Sequence, residues 1–259
     1  MNVDSWLKTA KTKIDSLDAE LILLDELGEK DRSFLVAHSD ILLNSKQISN
    51  LANKIERRRN GEPLAYLTGF REFYGRNFRV SSDVLIPRVE SETIVDFAKE
   101  LKPRTILDVG TGSGCLAISL KLEIPEAEVS AVDISEDALK IARLNAENLG
   151  AKVHFSESDL LENVDDDFEL IVANLPYVDR DWDWLSKGLK FEPELALFAE
   201  DEGLYLIKKL IFQAKNRTKY IIIESDTSQQ EKIIDFAKNN NFSLVKKDNF
   251  ITVYSQIIS

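Results

Sequence analysis

A chain of 259 residues, 44% hydrophobic and 30% charged, can bury a full core and suits one large domain with a small companion. Its 33 Lys and Arg against 45 Asp and Glu leave a net charge of −12, which repels phosphate backbones and argues against a nucleic-acid coat. The single cysteine, Cys115, excludes an internal disulfide and a cysteine-based zinc site. At the start of the chain, Trp6, Leu7, Ala10, Ile14 and Leu17 recur at helical spacing. Asp18 is placed to cap a second helix with Leu21, Leu24 and Leu27 on its apolar face and Gly28 as its stop. Asp31 can cap a short third helix through Phe34, Leu35 and Ala37. Ser45 starts a fourth, with Ile48, Leu51, Ala52 and Ile55 on one stripe and Asn60-Gly61 closing it. Residues 1–61 therefore predict a small helical bundle.

Residues 62–80 change character. Pro63, Gly69 and Gly75 stand among Tyr66, Phe70, Phe73, Tyr74 and Phe78, which reads as a linker running into a hairpin. A helix is expected over 91–101. From residue 104 strands and helices alternate. Strands are expected at 105–109, at 129–132 ending in Asp133, and at 153–155, 170–173 and 220–223. Helices are expected at 115–122, from the cap Ser135 to Leu149, and at 203–214 and 228–238. Two strands, 242–245 and 251–256, end the chain without a helix between them. Residues 81–259 thus predict an α/β domain with a Rossmann-like, mostly parallel sheet covered on both faces and an antiparallel hairpin at its edge.

Leu107-Asp108-Val109-Gly110-Thr111-Gly112-Ser113-Gly114 follows a strand and opens a helix. Glycine at alternate positions lets the chain turn tightly and brings bare backbone close to a ligand. Asp133 ends the next strand, 21 residues after Gly112, where an acid can accept both hydroxyls of a ribose. A dinucleotide loop wants glycine or alanine at Cys115 and brings a pyrophosphate for an open helix N-terminus. S-adenosylmethionine has ribose and adenine but no phosphate, and it suits this pattern. Asp108 can reach its amino group, directly or through water, and Asp159 sits where an acid can approach the adenine amino group. The competing reading is a tight strand-to-helix turn with a capping acid.

Asn174-Leu175-Pro176-Tyr177 stands at the end of the fourth strand, on the sheet edge where ligands bind. These residue types suit a planar amide or amino nitrogen, a poor nucleophile because its lone pair is delocalised. Acceptors for its two hydrogens, the Asn174 side-chain oxygen and the Leu175 carbonyl, can raise electron density on the nitrogen. Pro176 restricts Leu175 to an extended conformation and so fixes where that carbonyl points. Tyr177 offers a flat face to the planar target. No general base is needed before attack, since the proton becomes acidic once the methyl arrives. Catalysis then rests on alignment, with the nitrogen about 3 Å from the methyl carbon. A plain turn after a strand is the alternative.

With these residues the chain resembles the glutamine methyltransferases of peptide-chain release factors, the HemK or PrmC family. The resemblance runs over nearly the whole length. It is most specific at Gly61-Glu62-Pro63-Leu64-Ala65-Tyr66-Leu67-Thr68-Gly69-Phe70-Arg71-Glu72-Phe73-Tyr74-Gly75. Val84-Leu85-Ile86-Pro87-Arg88-Val89-Glu90-Ser91-Glu92 and Phe191-Glu192-Pro193-Glu194-Leu195-Ala196-Leu197 are similar to two further family segments. The resemblance implies a seven-stranded S-adenosylmethionine-dependent domain (81–259) behind an N-terminal helical substrate-recognition domain (1–61), with 62–80 as linker and hairpin. It implies methyl transfer to the side-chain amide nitrogen of the glutamine in the Gly-Gly-Gln loop of release factors. By position the cofactor would meet Gly110, Thr111, Gly112, Ser113, Gly114, Asp133 and Asn174, with Leu160 beside the adenine. Residues 174–177 would hold the glutamine. The chain departs from the family at Leu175, where a proline is usual, at Val89 for proline and Ser91 for threonine. The usual glycines after Leu197 give way to Phe198-Ala199-Glu200, which leaves the shape of that loop open.

Arg88, Glu90 and Glu92 either line the substrate side of the cleft or form surface ion pairs. Phe73 and Tyr74 either cover the target amide or pack between the two domains. Trp182 and Trp184, among Asp179, Asp181 and Asp183, shape a lid or anchor a loop. Cys115 is expected in the core. Asp165-Asp166-Asp167 reads as a solvated turn, and Arg57-Arg58-Arg59 as either a helix end suited to its dipole or a partner site. Two histidines, His38 and His154, leave little for a Ser-His-Asp machine or a His-rich metal site, and no metal is expected. No apolar run approaches the ~18 residues of a membrane span, and the first four residues lack signal-peptide order. The chain is therefore expected to be a cytoplasmic monomer acting on a protein substrate, with neither membrane nor nucleic acid as partner. The competing functions are an amino-group methyltransferase for adenine or cytosine of nucleic acid, which would need a basic channel, and a non-enzymatic S-adenosylmethionine-binding scaffold.

Overall fold

The computed structural model describes residues 1–182 and 188–257, so Asp183 and Trp184 lie outside the described residues. It falls into two units: Met1–Phe70 with 188–191, and residues 71–182 with 192–257.

In the first unit α1 (Val3–Ala10), α2 (Ser16–Leu27), α3 (Ser33–Ala37), α4 (Ser45–Arg59) and α5 (Leu64–Thr68) close around Trp6, Ile22, Leu23, Leu51, Ile55 and Leu67. Residues 62–70, read from sequence as the start of a linker, join this unit because α5 carries Leu67 into its core. Helix α2 begins earlier than expected. Asp15, not Asp18, accepts from the backbone N–H of Leu17 and Asp18, at 2.8 and 3.4 Å. Asp18 instead accepts from Arg58 Nε at 2.6 Å. A reciprocal capping box of Asn44 and Gln47 opens α4. The arginines at its end are each met by a carboxylate, Arg57 by Glu62, Arg58 by Asp18 and Arg59 by Glu56, so the cluster is structural rather than an open basic patch.

After the hairpin of β1 (Phe70–Phe73) and β2 (Arg76–Arg79) and helix α6 (Glu92–Leu101), the second unit alternates strand and helix. It runs β3 (Thr105–Val109), α7 (Cys115–Glu123), β4 (Glu128–Asp133), α8 (Glu136–Leu149), β5 (His154–Glu157), β6 (Phe168–Ala173), α9 (Tyr205–Ala214), β7 (Thr218–Glu224), α10 (Gln230–Asn239), β8 (Phe242–Asp248) and β9 (Ile251–Gln256). The seven-stranded sheet has the order β5-β4-β3-β6-β7-β9-β8. Its first four pairings are parallel, and β9 runs antiparallel to both β7 and β8. Successive residues of the buried strands face opposite sides. Ile106, Leu170, Val172 and Ile222 therefore pack with α6 and α7, while Leu107, Ile171, Ile221 and Ile223 pack with α9 and α10. Among the described residues no helix is long and apolar enough to cross a membrane.

The register positions the site. Val109 pairs with Val132 and with Ala173, and Ala173 pairs with Ile223. The carboxyl ends of β4, β3, β6 and β7 therefore finish level, and the residues that follow or end them are Asp133, Gly110, Asn174 and Glu224. From β3 the chain continues to β4 on one side and later to β6 on the other, the switch point at which α/β sheets bind ligands.

Candidate active site

A cavity of about 1120 Å³, counted with its open mouth, lies at this rim. Its wall includes Gly110 to Ser113, Asp133, Asp159, Leu160, Asn174, Leu175, Pro176 and Arg88. Most of the residues expected from sequence are thus brought together. Asp108, Phe73 and Tyr177 are not part of the wall, and Gly114 shapes the loop from outside it.

The glycine loop is held from below. The N–H groups of Gly110 and Thr111 donate to the Val132 carbonyl at 2.8 and 3.0 Å, and that of Gly114 to the Thr111 carbonyl at 2.8 Å. Gly112 N–H donates to Asp133 Oδ2 at 2.8 Å, and Ser135 N–H to Asp133 Oδ1 at 2.9 Å. Four loop amides already donate inside the protein, so the loop offers no open nest for a pyrophosphate. What remains is a polar rim carrying the Asp133 carboxylate beside an apolar wall. That donor set fits a ribose and a purine without phosphate, as S-adenosylmethionine provides. Burial raises the Asp133 carboxyl above the usual carboxylate range, against three backbone N–H bonds that lower it.

Asp108, expected to reach the amino group directly or through water, does not line the cavity. It is fully buried beneath the loop, where Oδ2 accepts from Thr111 Oγ1 at 2.6 Å and from Ala117 N–H at 3.2 Å. Burial pushes its carboxyl up to about 7. Its Oδ1 has no protein partner, which leaves one acceptor for a bridging group. Asp159 lines the wall and is paired with Lys209 at 2.7 Å, so its carboxylate is already partly neutralised. Leu160 beside it holds φ at 50°, an uncommon conformation for a leucine. Cys115, expected in the core, packs against it half-buried and also lines the cavity, with its thiol pushed up to about 12 by burial and hence un-ionised.

The second half of the site hangs on β6. Asn174 Nδ2 donates to Ser91 Oγ at 2.9 Å, while Asn174 Oδ1 and the Leu175 carbonyl accept no bond among the described residues. Both acceptors are therefore without a protein partner among the described residues. Tyr177, expected to present a face to the target, is half-buried with its hydroxyl donating to Glu224 Oε1 at 3.3 Å, and burial raises its phenol. Phe73 does not cover the amide. It is 1% exposed in the core, edge-on to Phe78, because its position on β1 points it inward across the hairpin. Tyr74 packs on the same core and donates to Asp96 Oδ1 at 2.7 Å.

Arg88 does line the cleft, and it also forms an ion pair: its guanidinium meets Glu192 Oε1 at 2.7 Å while Ile86 N–H donates to Glu192 Oε2 at 3.1 Å. The open question at 197–200 is answered by a short parallel bridge between Val178 and Phe198. Val178 N–H donates to the Leu197 carbonyl, and Ala199 N–H to the Val178 carbonyl, which ties that loop to the strand end bearing Asn174. Three residues without an assigned role from sequence belong here: Ser91, Glu192 and Glu224. The signal for Glu224 was present, since an acid closes the apolar run 221–223 as Asp133 closes 129–132.

Residues 3–69 match the family model "PrmC N-terminal domain" and residues 80–184 match "Methyltransferase small domain". A release factor glutamine methyltransferase of Koribacter versatilis is 42% identical over 82% of this chain and 79% of its own length. Those of Neisseria gonorrhoeae and Escherichia coli are each 36% identical, over 95% and 90% of this chain and 92% and 89% of their own lengths. Among solved structures, a ribosomal protein L11 methylase of Lactobacillus delbrueckii subsp. bulgaricus superposes with a TM-score of 0.50 at 25% identity, covering 66% of this chain and 81% of that one. A 16S rRNA methyltransferase of T. thermophilus, solved with AdoMet and guanosine, shares the fold at a TM-score of 0.53 and 16% identity, over 73% and 50% of the two chains. With relatives of this identity matched along most of their length, and both characteristic domains present in order, the chain belongs to the release factor glutamine methyltransferase family.

Proposed function

We propose that this protein transfers a methyl group from S-adenosylmethionine to the side-chain amide nitrogen of the glutamine in the Gly-Gly-Gln loop of a peptide-chain release factor. The observation that carries the reading is the pair of acceptors without a protein partner, Asn174 Oδ1 and the Leu175 carbonyl, on residues that line the same cavity as Asp133 and the glycine loop. A primary carboxamide has two N–H donors, and two fixed acceptors match it. Bound, the cofactor supplies an electrophilic methyl on a sulfonium sulfur.

The chain's own residues do the rest. Gly110 to Ser113 and Asp133 bind the nucleoside, and Leu160 supplies an apolar wall for the adenine with Asp159 near its amino group. Asn174 and Leu175 hold the two amide hydrogens of the glutamine, which draws electron density onto its nitrogen and fixes its direction of approach. Pro176, following Leu175, keeps the carbonyl aimed. Arg88, anchored on Glu192, lines the substrate side. After transfer the nitrogen is acidic and loses its proton to water, so no buried base is required. The cavity lies wholly within the second unit, which leaves the helical unit available to recognise the factor. The net charge of −12 favours a protein substrate over a nucleic-acid backbone. On this reading the protein works as a monomer in the cytoplasm, where release factors act.

Labelled S-adenosylmethionine offered with purified release factor, with the same factor lacking its glutamine, and with DNA tests the reading. Label is expected only in the intact factor. Label in DNA and not in the factor would replace this function with the amino-group methylation of bases.

A further inference from the structure

An asparagine side chain has two ends of nearly equal size, and only one of them can grip an amide hydrogen. Presented nitrogen-first, Asn174 would meet the glutamine N–H groups with donors of its own. Ser91, in the turn Val89–Ser91 just before α6, accepts from Asn174 Nδ2 at 2.9 Å. A serine hydroxyl can also donate, and a hydrogen turned toward Asn174 would hold the amide by its oxygen and send the nitrogen outward. The Ser91 hydrogen goes elsewhere, to Glu224 Oε2 at the end of β7. Glu224 Oε1 accepts from the Tyr177 hydroxyl. Ser91 is 2% exposed and Glu224 1%, so water does not compete for these bonds.

We infer that Ser91 and Glu224 form a positioning relay that sets the Asn174 amide with its oxygen toward the substrate. The sense of the relay comes from Glu224 in its ionised form, which can only accept and takes the hydrogens of both Ser91 and Tyr177. The Ser91 oxygen is left free only as an acceptor for Asn174 Nδ2. Asn174 Oδ1 is then turned to the cavity. Neither Ser91 nor Glu224 touches the reacting atoms; both act through Asn174. The same carboxylate holds Tyr177, so one buried acid fixes both ends of the four-residue segment. This inference rests on the glutamine-methylating reading above. It also accounts for the departure at position 91, because serine keeps the hydroxyl of the threonine usual in the family.

Ser91→Thr and Ser91→Val have nearly the same shape and differ in the hydroxyl, and Ser91→Ala removes it without added bulk. For Ser91→Val and Ser91→Ala, kcat on release factor is expected to fall on the order of 10- to 100-fold. S-adenosylmethionine affinity by calorimetry should stay within about twofold of wild type, since the nucleoside contacts lie elsewhere. Ser91→Thr is expected to recover most of the rate. A merely structural role would lower all three variants together or spare all three. Wild-type kcat in Ser91→Ala, or a Ser91→Thr enzyme as slow as Ser91→Val, overturns the relay while the activity itself stands. A wild-type enzyme that puts no label into release factor overturns the activity, which these variants do not address.

Discussion

Gly203 precedes α9 and lies against the segment that carries the amide grip. A Cβ built there would sit 2.0 Å from the Tyr177 carbonyl oxygen, 2.7 Å from its carbon and 2.5 Å from Gln229 Nε2, all below the 3.0 Å that Cβ atoms keep. Gln229 Nε2 donates to that same carbonyl at 2.8 Å, and to the Glu202 carbonyl at 2.8 Å. In Gly203→Ala the Tyr177 backbone must retreat by about 1 Å or the Gln229 bonds must break. Overpacking of this kind costs about 1–3 kcal/mol, and alanine at φ 80° adds roughly 1 kcal/mol more. Gly150, closing α8 at φ 68°, has nothing within 4 Å of its Cβ position, so Gly150→Ala carries the backbone cost alone. Urea unfolding of both variants should place Gly203→Ala on the order of 2 kcal/mol below Gly150→Ala. Because Tyr177 is three residues from Asn174, kcat on release factor should also fall, by as much as ~100-fold for a shift near 1 Å. Equal stability of the two variants with wild-type kcat in both would refute the claim that this close approach positions the grip.

Asp133→Ala removes the carboxylate expected to hold the ribose and also frees Gly112 N–H, so S-adenosylmethionine affinity should drop by more than ~1.4 kcal/mol, or tenfold; unchanged binding by calorimetry would refute the ribose assignment. Asn174→Ala should leave cofactor affinity largely intact and depress kcat, and wild-type turnover in that variant would remove Asn174 from the mechanism. Burial lifts Glu224 from 4.5 to about 7, with Glu90 raising it further and Ser91, Tyr177 and Arg88 opposing. The folded state thus keeps this proton over a range in which the unfolded chain has lost it, and the Glu224 contribution to stability is lost as pH rises from about 4.5 to about 7, by up to about 3 kcal/mol. Glu224→Gln should cancel that loss, so its stability relative to wild type should climb through this window and level off above it; a difference independent of pH in unfolding curves would refute the assignment.

The second unit was legible because its signals are local. Short apolar runs ending in Gly110, Asp133 and Asn174 declare both the strands and the rim they share, and the alternation with helices gives the parallel sheet. The departures lie where a partner that the local pattern does not name decides. Asp15 and Asp18 both suit a cap by type; Asp18 is engaged by Arg58, 40 residues away, and Asp15 caps instead. Phe73 carries the aromatic signature of a ligand face, but the hairpin turns it toward Phe78. Asp108 stands in the motif, yet Thr111 and Ala117 draw its carboxylate under the loop and out of the wall. Ser91 and Glu192 were invisible as site residues because Asn174 and Arg88, their partners, come from distant parts of the sequence.

Leu175 shows how the two halves of the site are kept in register. A proline in its place would stiffen the backbone and offer little reach. Leucine instead is 3% exposed and packs in the core with Val109 and Ala173, while its Cδ2 approaches within 2.9 Å of the Cβ position of Gly110. The residue whose carbonyl is to grip the amide thus rests directly on the first glycine of the loop that is to hold the nucleoside. Only a glycine leaves room for it there. Apolar packing across β3 and β6 replaces part of the stiffness that a second proline would give, and Pro176 still constrains the carbonyl. On the proposed function, the spacing between the nucleoside-binding loop and the residues that hold the amide is then set by a van der Waals contact within one core and not by a flexible loop. That is the condition under which alignment alone can carry the reaction without a base.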